Sequence, residues 1–414
     1  MPRRLTALLL CVLLLAACER TTQPERAIDA AWHREAMAKL LEHWLQVSPN
    51  PSGLFRTAIS RDWKAEGGQG PARLELTMQG RMIYSMAMGY ELTRDPRYLQ
   101  AARRGTDFLL EHFHDPVQGG FFNVVSEDGQ VVADRKRAYG QAFALLALSH
   151  MARITGEARY RQAAQQAWQE ISGGMRDAQG GLVEVTTRSF VPESKNRTQN
   201  PVMHMFEALL ALGQVTDDPG VKKDTRALGD FVVNRLMQGL PDGSAYIPEW
   251  YDEGWKPLPT HEAGGYVEVG HQFEWVHLLY SAQAQGVSDI YGPVAERLLL
   301  YALRQGYDEI DGGAFERIYS DGMERGKVYW QQLECLHGLI AAAGAEPRPD
   351  LWRRMDQTLG LVRAQFMDSQ HGGWWDRACP RGGCDGKQPE PYHMASLHAA
   401  ALKAAGAASA PRAR

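Results

Sequence analysis

Two kinds of helical run alternate along this chain, and their alternation predicts the fold. One kind is amphipathic with a charged face, as from Arg97-Tyr98-Leu99-Gln100-Ala101-Ala102 onward and from Arg159-Tyr160-Arg161-Gln162-Ala163-Ala164 onward. The other is apolar or small nearly all round: Met78 to Leu92, Ala138 to Thr155, Pro201 to Val215, Gly270 to Ala284, Tyr329 to Gly344 and Pro391 to Gly406. A helix with a polar face lies at a surface, whereas one apolar all round is buried. Glycine-rich loops punctuate the series at Ser52-Gly53, Gly119-Gly120, Gly180-Gly181, Asp242-Gly243, Gly312-Gly313 and Gly372-Gly373, about 60 to 70 residues apart. Most are followed by a short extended patch, such as Phe121-Phe122-Asn123-Val124-Val125 or Leu182-Val183-Glu184-Val185. Six outer helices alternating with six inner ones predict an all-α (α/α)6 barrel of six helix pairs with short β-hairpin-like loops. The regular alternation and the lack of long strand patterns disfavour an α/β fold. An open solenoid of helix pairs is the rival, but a count of six favours closure. No linker splits residues 30–410, so they read as one domain, and closed barrels run long as single domains.

The N-terminus reads as a processing signal rather than as part of the barrel. Arg3 and Arg4 precede an apolar run from Leu5 to Ala17, too short to span a bilayer. It ends Leu15-Ala16-Ala17-Cys18, which looks like a bacterial lipobox. Residues 1–17 are therefore expected to be a lipoprotein signal, Cys18 the acylated residue, and 18–29 a polar tether. An ordinary secretory signal that happens to contain Cys18 is the alternative. Acyl chains would anchor the protein at the periplasmic face of a bacterial envelope. Glu19 after the Cys, rather than Asp, favours the outer membrane over the inner. Cys11 leaves with the signal, and Cys335 sits in an apolar helical run, as a buried thiol would. Cys379 and Cys384 flank Pro-Arg-Gly-Gly, where an exported chain either forms a local disulfide or keeps two thiols. A net charge of −4 without a basic stripe argues against a nucleic-acid partner. Eleven Trp and fifteen Tyr fill cores, but they also suit the C–H faces of sugars.

The apolar helices share one oddity. Near the start of each sits a polar or aromatic residue: Arg81, Tyr139 with Gln141, His204, His271, Trp330 with Gln332, and His393. Unpaired buried polar groups are costly, so six at corresponding places predict a shared pocket at one mouth of the barrel. Glu274 lies three residues after His271, and Glu207 three after His204, on the same helix faces. A carboxylate favours the charged imidazole and a helix N-terminus disfavours it. Such opposed influences leave a histidine suited to acid–base work near neutrality.

Four stretches carry a resemblance. Gly270-His271-Gln272-Phe273-Glu274-Trp275 fits Gly-His-x-x-Glu-Trp, and Asn200-Pro201-Val202-Met203-His204-Met205-Phe206-Glu207-Ala208 fits Asn-x-x-x-His-x-x-Glu-Ala. Trp330-Gln331-Gln332-Leu333-Glu334 fits Trp-x-Gln-x-Glu, and Pro391-Tyr392-His393 fits Pro-Tyr-His. In this order the chain, from about residue 30 to its end, resembles the N-acylglucosamine 2-epimerase family, which includes cellobiose 2-epimerases and mannose isomerases of the (α/α)6 fold. The resemblance implies an isomerase acting on a small reducing sugar, a monomer or homodimer that needs neither metal nor nicotinamide. One histidine would remove the C2 proton of the open-chain sugar to give a cis-enediolate. Return of a proton at C2 epimerises, and return at C1 isomerises. By resemblance His271 and His393 would transfer protons, and Glu274 would orient His271. Arg81 and His204 would hydrogen-bond the developing oxyanion, and Trp330 would offer a ring face to the sugar. Tyr139 and Gln332, from their repeat positions, complete the expected substrate-binding set.

One departure bears on the substrate. Cellobiose epimerases commonly carry Trp-Lys before Pro-Tyr-His, whereas Gly386-Lys387-Gln388-Pro389-Glu390 has no Trp. Trp374 and Trp375 upstream either substitute for it or belong to the recurring loop. The change tilts the expectation towards a monosaccharide or short sugar derivative. Three other readings fit the same residues. They are a glycoside hydrolase using Glu207, Glu274 or Glu334, a non-catalytic sugar-binding envelope lipoprotein, and a metal hydrolase using His204, His271 and His393.

Overall fold

The computed structural model describes residues 28–66, 73–258, 264–346, 348–382, 384 and 386–409. Residues 1–17, Cys18 and most of the expected tether lie outside this set. The outer helices are α1 (Ala30–Val47), α3 (Pro96–Phe108), α5 (Ala158–Met175), α7 (Pro219–Phe231), α9 (Tyr291–Tyr301) and α11 (Pro349–Gln365). The inner ones are α2 (Leu76–Thr93), α4 (Ala138–Thr155), α6 (Gln199–Gly213), α8 (Val269–Ala284), α10 (Tyr329–Ala345) and α12 (Tyr392–Ser409). Local chemistry sets several boundaries. Asp95 and Asp218 each accept a backbone N–H from the first turn of α3 and α7, with proline in the first helical position. Gly156 ends α4 in the left-handed conformation.

Each inner helix packs on the next in chain order, and α12 returns to α2 and α1, closing the (α/α)6 barrel that the sequence predicts. A second closure runs round the mouth. The extended residues before each inner helix pair with an extended patch of the following repeat: 73–75 with 124–126, 136–137 with 185–186, 197–198 with 250–251, and 267–268 with 317–318, all antiparallel. Val328 pairs with Arg377, and Lys387 pairs back with Ser60 of the first repeat. The loops therefore pair between repeats as well as forming the expected local hairpins, such as 317–318 with 323–324.

Glutamines lock these loops to the inner helices. The fourth residue of α2, α4, α8 and α10 is Gln79, Gln141, Gln272 and Gln332. Each carboxamide exchanges two hydrogen bonds with one loop residue: Phe55, Phe121, Ile247 and Ala314, all at 2.7–2.9 Å. The amide thus copies the paired bonds of an antiparallel ladder. In the last repeat Gln388 does related work from the loop itself, accepting Trp374 N–H at 3.1 Å and donating to the Arg61 carbonyl at 2.9 Å. The recurring glycine pair follows from this brace. Gly313 has φ +84°, and a Cβ there would stand 2.2 Å from Gln332 Oε1.

Cys379 and Cys384 are disulfide-bonded in the loop between α11 and α12, and Cys335 is a buried free thiol. No helix among the described residues is long and apolar enough to cross a membrane.

The brace makes opposite predictions for two glycines and one glutamine. Gln332→Leu strands the buried N–H and C=O of Ala314 and is expected to cost about 3 kcal/mol. Gly313→Ala is expected to destabilise by a similar order, while Gly360→Ala on α11, where an added Cβ meets nothing within 4 Å, should stabilise by about 0.5–1 kcal/mol. Chemical or thermal unfolding checks all three, and a neutral Gln332→Leu would rule the brace out.

Candidate active site

Because strand pairs and glutamines fix the start of each inner helix, side chains from the first two turns converge on the mouth. Tyr139, His271, Trp330 and His393 come from the first turn of α4, α8, α10 and α12, and Arg81 and His204 from one turn deeper on α2 and α6. All six line one cavity of about 630 Å³. Gly270 before His271 is required by a close approach, since a Cβ there would lie 2.7 Å from Trp330 and from Gln331. That approach sets Trp330 against both imidazoles, with ring centroids 5.0 Å from His271 and 5.6 Å from His393.

Each of those imidazoles is held by a buried carboxylate. His271 Nδ1 donates to Glu249 Oε2 at 2.7 Å, and Glu249 also accepts from Gln199 Nε2 at 2.8 Å and Thr198 Oγ1 at 2.9 Å. Trp275 Nε1 fixes Gln199 through its carbonyl at 2.7 Å. His393 Nδ1 donates to Glu334 Oε1 at 2.7 Å. With Nδ1 engaged, Nε2 is the free nitrogen of each ring. Burial opposes charge on His271, but Glu249, with Glu268 and Glu334 beyond it, outweighs burial and raises its pKa above the usual range. Burial likewise disfavours charge on Glu249, yet the bonds from His271, Gln199 and Thr198 hold it below the ordinary carboxylate range.

Under the mouth lies a layer of buried ionisable groups. His204 is pushed down to about 4, chiefly by burial. Its Nδ1 donates to Glu207 at 3.1 Å, so its Nε2 is a hydrogen-bond acceptor. Glu207 also accepts the Tyr392 hydroxyl at 2.6 Å. Glu274 is pushed well above the carboxylate range by burial and by Glu334 and Glu207, which favours its neutral acid form. Arg81 donates to Glu390 at 2.6 Å and to the Tyr139 hydroxyl at 2.5 Å. Four lining residues keep a buried polar atom without a protein partner: Arg81 Nε, Asn200 Oδ1, Glu274 Oε2 and Gln331 Oε1. Orphaned buried atoms are rare in folded proteins, and their concentration here marks a place for a polar ligand.

The structure corrects three sequence expectations, the first being His204 as an oxyanion donor, since its Nδ1–H is spent on Glu207 and Nε2 accepts. Glu274 does not hold His271. It faces His204 Nε2 at 3.7 Å, and the carboxylate on His271 is Glu249. Three-residue helical spacing put Glu274 on the right face, but its side chain reaches inward to α6. Gln332 does not bind substrate, because both ends of its amide are spent on Ala314 and it does not line the cavity. Trp374 and Trp375 belong to their loop. Trp374 bonds Gln388, and Trp375 packs under Arg61 at 4.4 Å. Glu249 went unnoticed in the sequence because it sits outside the helical repeat, in the loop after Pro248.

This geometry can be set beside known proteins. A sequence model of N-acylglucosamine 2-epimerase matches residues 53–396. The chain belongs to the N-acylglucosamine 2-epimerase family. Among its relatives, bovine N-acylglucosamine 2-epimerase is 25% identical over 374 residues, covering 85% of each chain. The D-mannose isomerase of Pseudomonas cannabina pv. alisalensis is 30% identical over 325 residues, covering 71% of this chain and 74% of the relative. A crystal structure of D-mannose isomerase superposes with a TM-score of 0.81 at 20% identity, covering 90% of this chain and 97% of the other. Members of this N-acylglucosamine 2-epimerase family thus include carbohydrate epimerases and isomerases, and the present chain is an isomerase-class enzyme.

Glu249→Gln separates the support of His271 from its presence. Glu249 raises the His271 pKa, so its loss lowers that pKa and leaves the imidazole uncharged at lower pH. The acidic limb of the kcat/KM profile should move to lower pH while the plateau falls by about 10²-fold. An unmoved limb and an unchanged plateau would remove Glu249 from the site.

Proposed function

We propose that this protein moves protons between C1 and C2 of a reducing sugar, as a C2-epimerase or an aldose–ketose isomerase, with His271 and His393 as the acid–base pair. One observation carries this reading. Two imidazoles on separate helices, each held at Nδ1 by a buried carboxylate, keep Nε2 free beside one cavity with Trp330 between the rings. The relatives include both an epimerase and an isomerase by name, and both reactions share one intermediate.

In the open-chain aldose, Nε2 of one histidine takes the C2 proton, and the electron pair of that bond moves through C1 onto O1, giving a cis-enediolate. A proton delivered to the other face of C2 by the second histidine yields the C2 epimer. A proton delivered to C1, with the O2 hydroxyl proton passing to O1, yields the ketose. Charge grows on O1, and stabilising such an oxyanion is the largest demand of this chemistry. Arg81 and the neutral Glu274 are the donors suited to it. His204, an acceptor at Nε2, receives a sugar hydroxyl instead of donating to the oxyanion. Trp330 offers a ring face to C–H groups. Arg81, Arg137, Arg317 and Arg377 are each ion-paired, with Glu390, Glu184, Glu268 and Glu316. The cavity therefore suits an uncharged sugar better than a phosphorylated one.

NMR in D2O with mannose, glucose, N-acetylmannosamine and cellobiose tests the reading. Product formation with deuterium entering at C2 or C1 is expected for at least one sugar. His393→Ala should reduce that turnover by about 10³-fold with the fold intact by circular dichroism. Sugar binding without exchange for the whole panel would overturn the catalytic reading.

We also propose that Cys18 is diacylated and tethers the enzyme to the envelope, on the strength of the Leu15-Ala16-Ala17-Cys18 sequence. Cys18→Ser should move the protein from the membrane to the soluble fraction. Persistence in the membrane fraction would refute the anchor.

A further inference from the structure

Below the cavity a further histidine meets the carboxylate that holds His393. Glu334 Oε1 accepts from His393 Nδ1 at 2.7 Å and Oε2 accepts from His277 Nε2 at 3.0 Å, so Glu334 stands between one imidazole at the cavity and one behind it. His277 does not line the cavity. It is stacked on His337 of α10, with ring centroids 3.6 Å apart and planes 8° from parallel. His277, Glu334 and His337 lie close enough together to suggest metal ligands. However, parallel rings at that spacing cannot both aim an in-plane lone pair at one ion. The arrangement is a hydrogen-bonded support.

Its effect follows from the neighbouring acid. Ligand atoms of Glu274, Glu334 and His393 all lie within 4.8 Å of one another, and all three side chains are buried. Two buried carboxyl groups so close do not both ionise, and the one with better donors keeps the charge. Glu334 has donors on both oxygens. Glu274 has Oε2 without a partner, and its Oε1 stands 3.7 Å from His204, beyond a hydrogen bond. The groups facing Glu334 are His277, Glu274 and His271 from α8, His393 from α12 and His337 on its own helix. Those facing Glu274 are Glu334 from α10, Glu207 and His204 from α6, Arg81 from α2, Tyr139 from α4, Tyr392 and His393 from α12, and Glu249 from the preceding loop. Arg81, a cation near Glu274, is already paired with Glu390.

We propose that His277 is a positioning residue: its Nε2–H holds Glu334 as the ionised member of the Glu274/Glu334 pair, which keeps His393 aimed and leaves the shared proton on Glu274, the acid facing the sugar. The proposal rests on the reading of His393 as a proton-transfer residue. Without the His277 donor, Glu334 competes for that proton. Once protonated it no longer anchors His393, and Glu274 loses the hydrogen it would donate.

Three variants test this. His277→Leu is expected to lower kcat by about 10- to 100-fold, with KM little changed. It should also move the acidic limb of the kcat profile to higher pH, because Glu334 then protonates more easily. His277→Gln, whose amide can still donate to Glu334, should recover most of the rate and restore the limb. A second readout does not depend on turnover. The infrared difference spectrum of wild type minus Glu274→Gln at neutral pH should contain a carboxylic-acid C=O band, and that band should shift or lose intensity in the His277→Leu background. Wild-type kcat and pH profile in a folded His277→Leu protein would overturn the proposal, as would the absence of any acid band in the wild-type difference spectrum. A wild type that exchanges no sugar deuterium yet shows the band and its response to His277→Leu would defeat the catalytic reading while upholding the place of the proton.

Discussion

The rest of this structure depends on where the inner helices begin, and buried glutamine amides fix that place. A carboxamide can donate and accept at once, so one side chain can satisfy both the N–H and the C=O of a loop residue. Gln79, Gln141, Gln272 and Gln332 do this for Phe55, Phe121, Ile247 and Ala314. They tie the loop that enters each repeat to the first turn of the helix that leaves it. The strand pairs between successive repeats then join neighbouring helix starts, and Lys387 with Ser60 joins the last to the first. A residue one or two turns into an inner helix therefore has a defined height and direction. His271, Trp330 and His393 can face one another from three helices because those helices share a common origin at the mouth. The third repeat carries Val202 at the brace position. There Thr198 and Gln199 at the helix start reach instead to Glu249 in the loop of the next repeat. The repeat that lacks the brace is the one whose loop contact carries the His271 partner.

A rigid mouth allows a degree of charge burial that a flexible one would not tolerate. Isolated ions cannot be taken out of water cheaply, so each must find a partner or become neutral. Both outcomes occur side by side. Glu249 and Glu334 remain charged because imidazoles and amides donate to them, while Glu274, crowded by Glu334 and Glu207 and short of donors, holds a proton. His204 stays neutral for the complementary reason, since burial outweighs the help it receives from Glu207. The outcome is a pair of carboxylate-braced imidazoles beside an acid whose neutral form is favoured and a histidine that accepts at Nε2.

What the sequence made legible follows the same division. Helix pairs, glycine loops and the polar positions near each helix start are periodic, and periodicity survives translation into three dimensions. Arg81, Tyr139, His204, His271, Trp330 and His393 accordingly reach one cavity. Pairing between side chains is not periodic. Glu274 looked like the partner of His271 because three residues separate them on one helix, yet rotamer direction sends it towards α6 and lets Glu249 come in from a loop 22 residues earlier. Gln332 shared the pattern of the site residues for a different reason, being periodic as a brace. A polar residue recurring on buried helices thus has two meanings. Its position within the first turn, third-place histidine against fourth-place glutamine in α8, separates them.

The same placement explains why one cavity could serve either reaction. His271 and His393 stand on α8 and α12, with α10 and its Trp330 between them. Were Trp330 to pack on C–H groups further along the sugar, both faces of the planar enediolate at C1 and C2 would stay open to imidazoles from the two flanking helices. Proton return at C2 from the side opposite to its removal needs both. Transfer from C2 to C1 on one side needs a single base that can reach two adjacent carbons, with the second imidazole left to manage the oxygens. On the proposed mechanism the choice would turn on how deeply the sugar chain is seated relative to the two Nε2 atoms. Trp250 and Tyr266 line the cavity beside the paired arginines, where they would bear on that depth. Substitution there would be expected to shift the ratio of epimer to ketose while leaving His271 and His393 as they are.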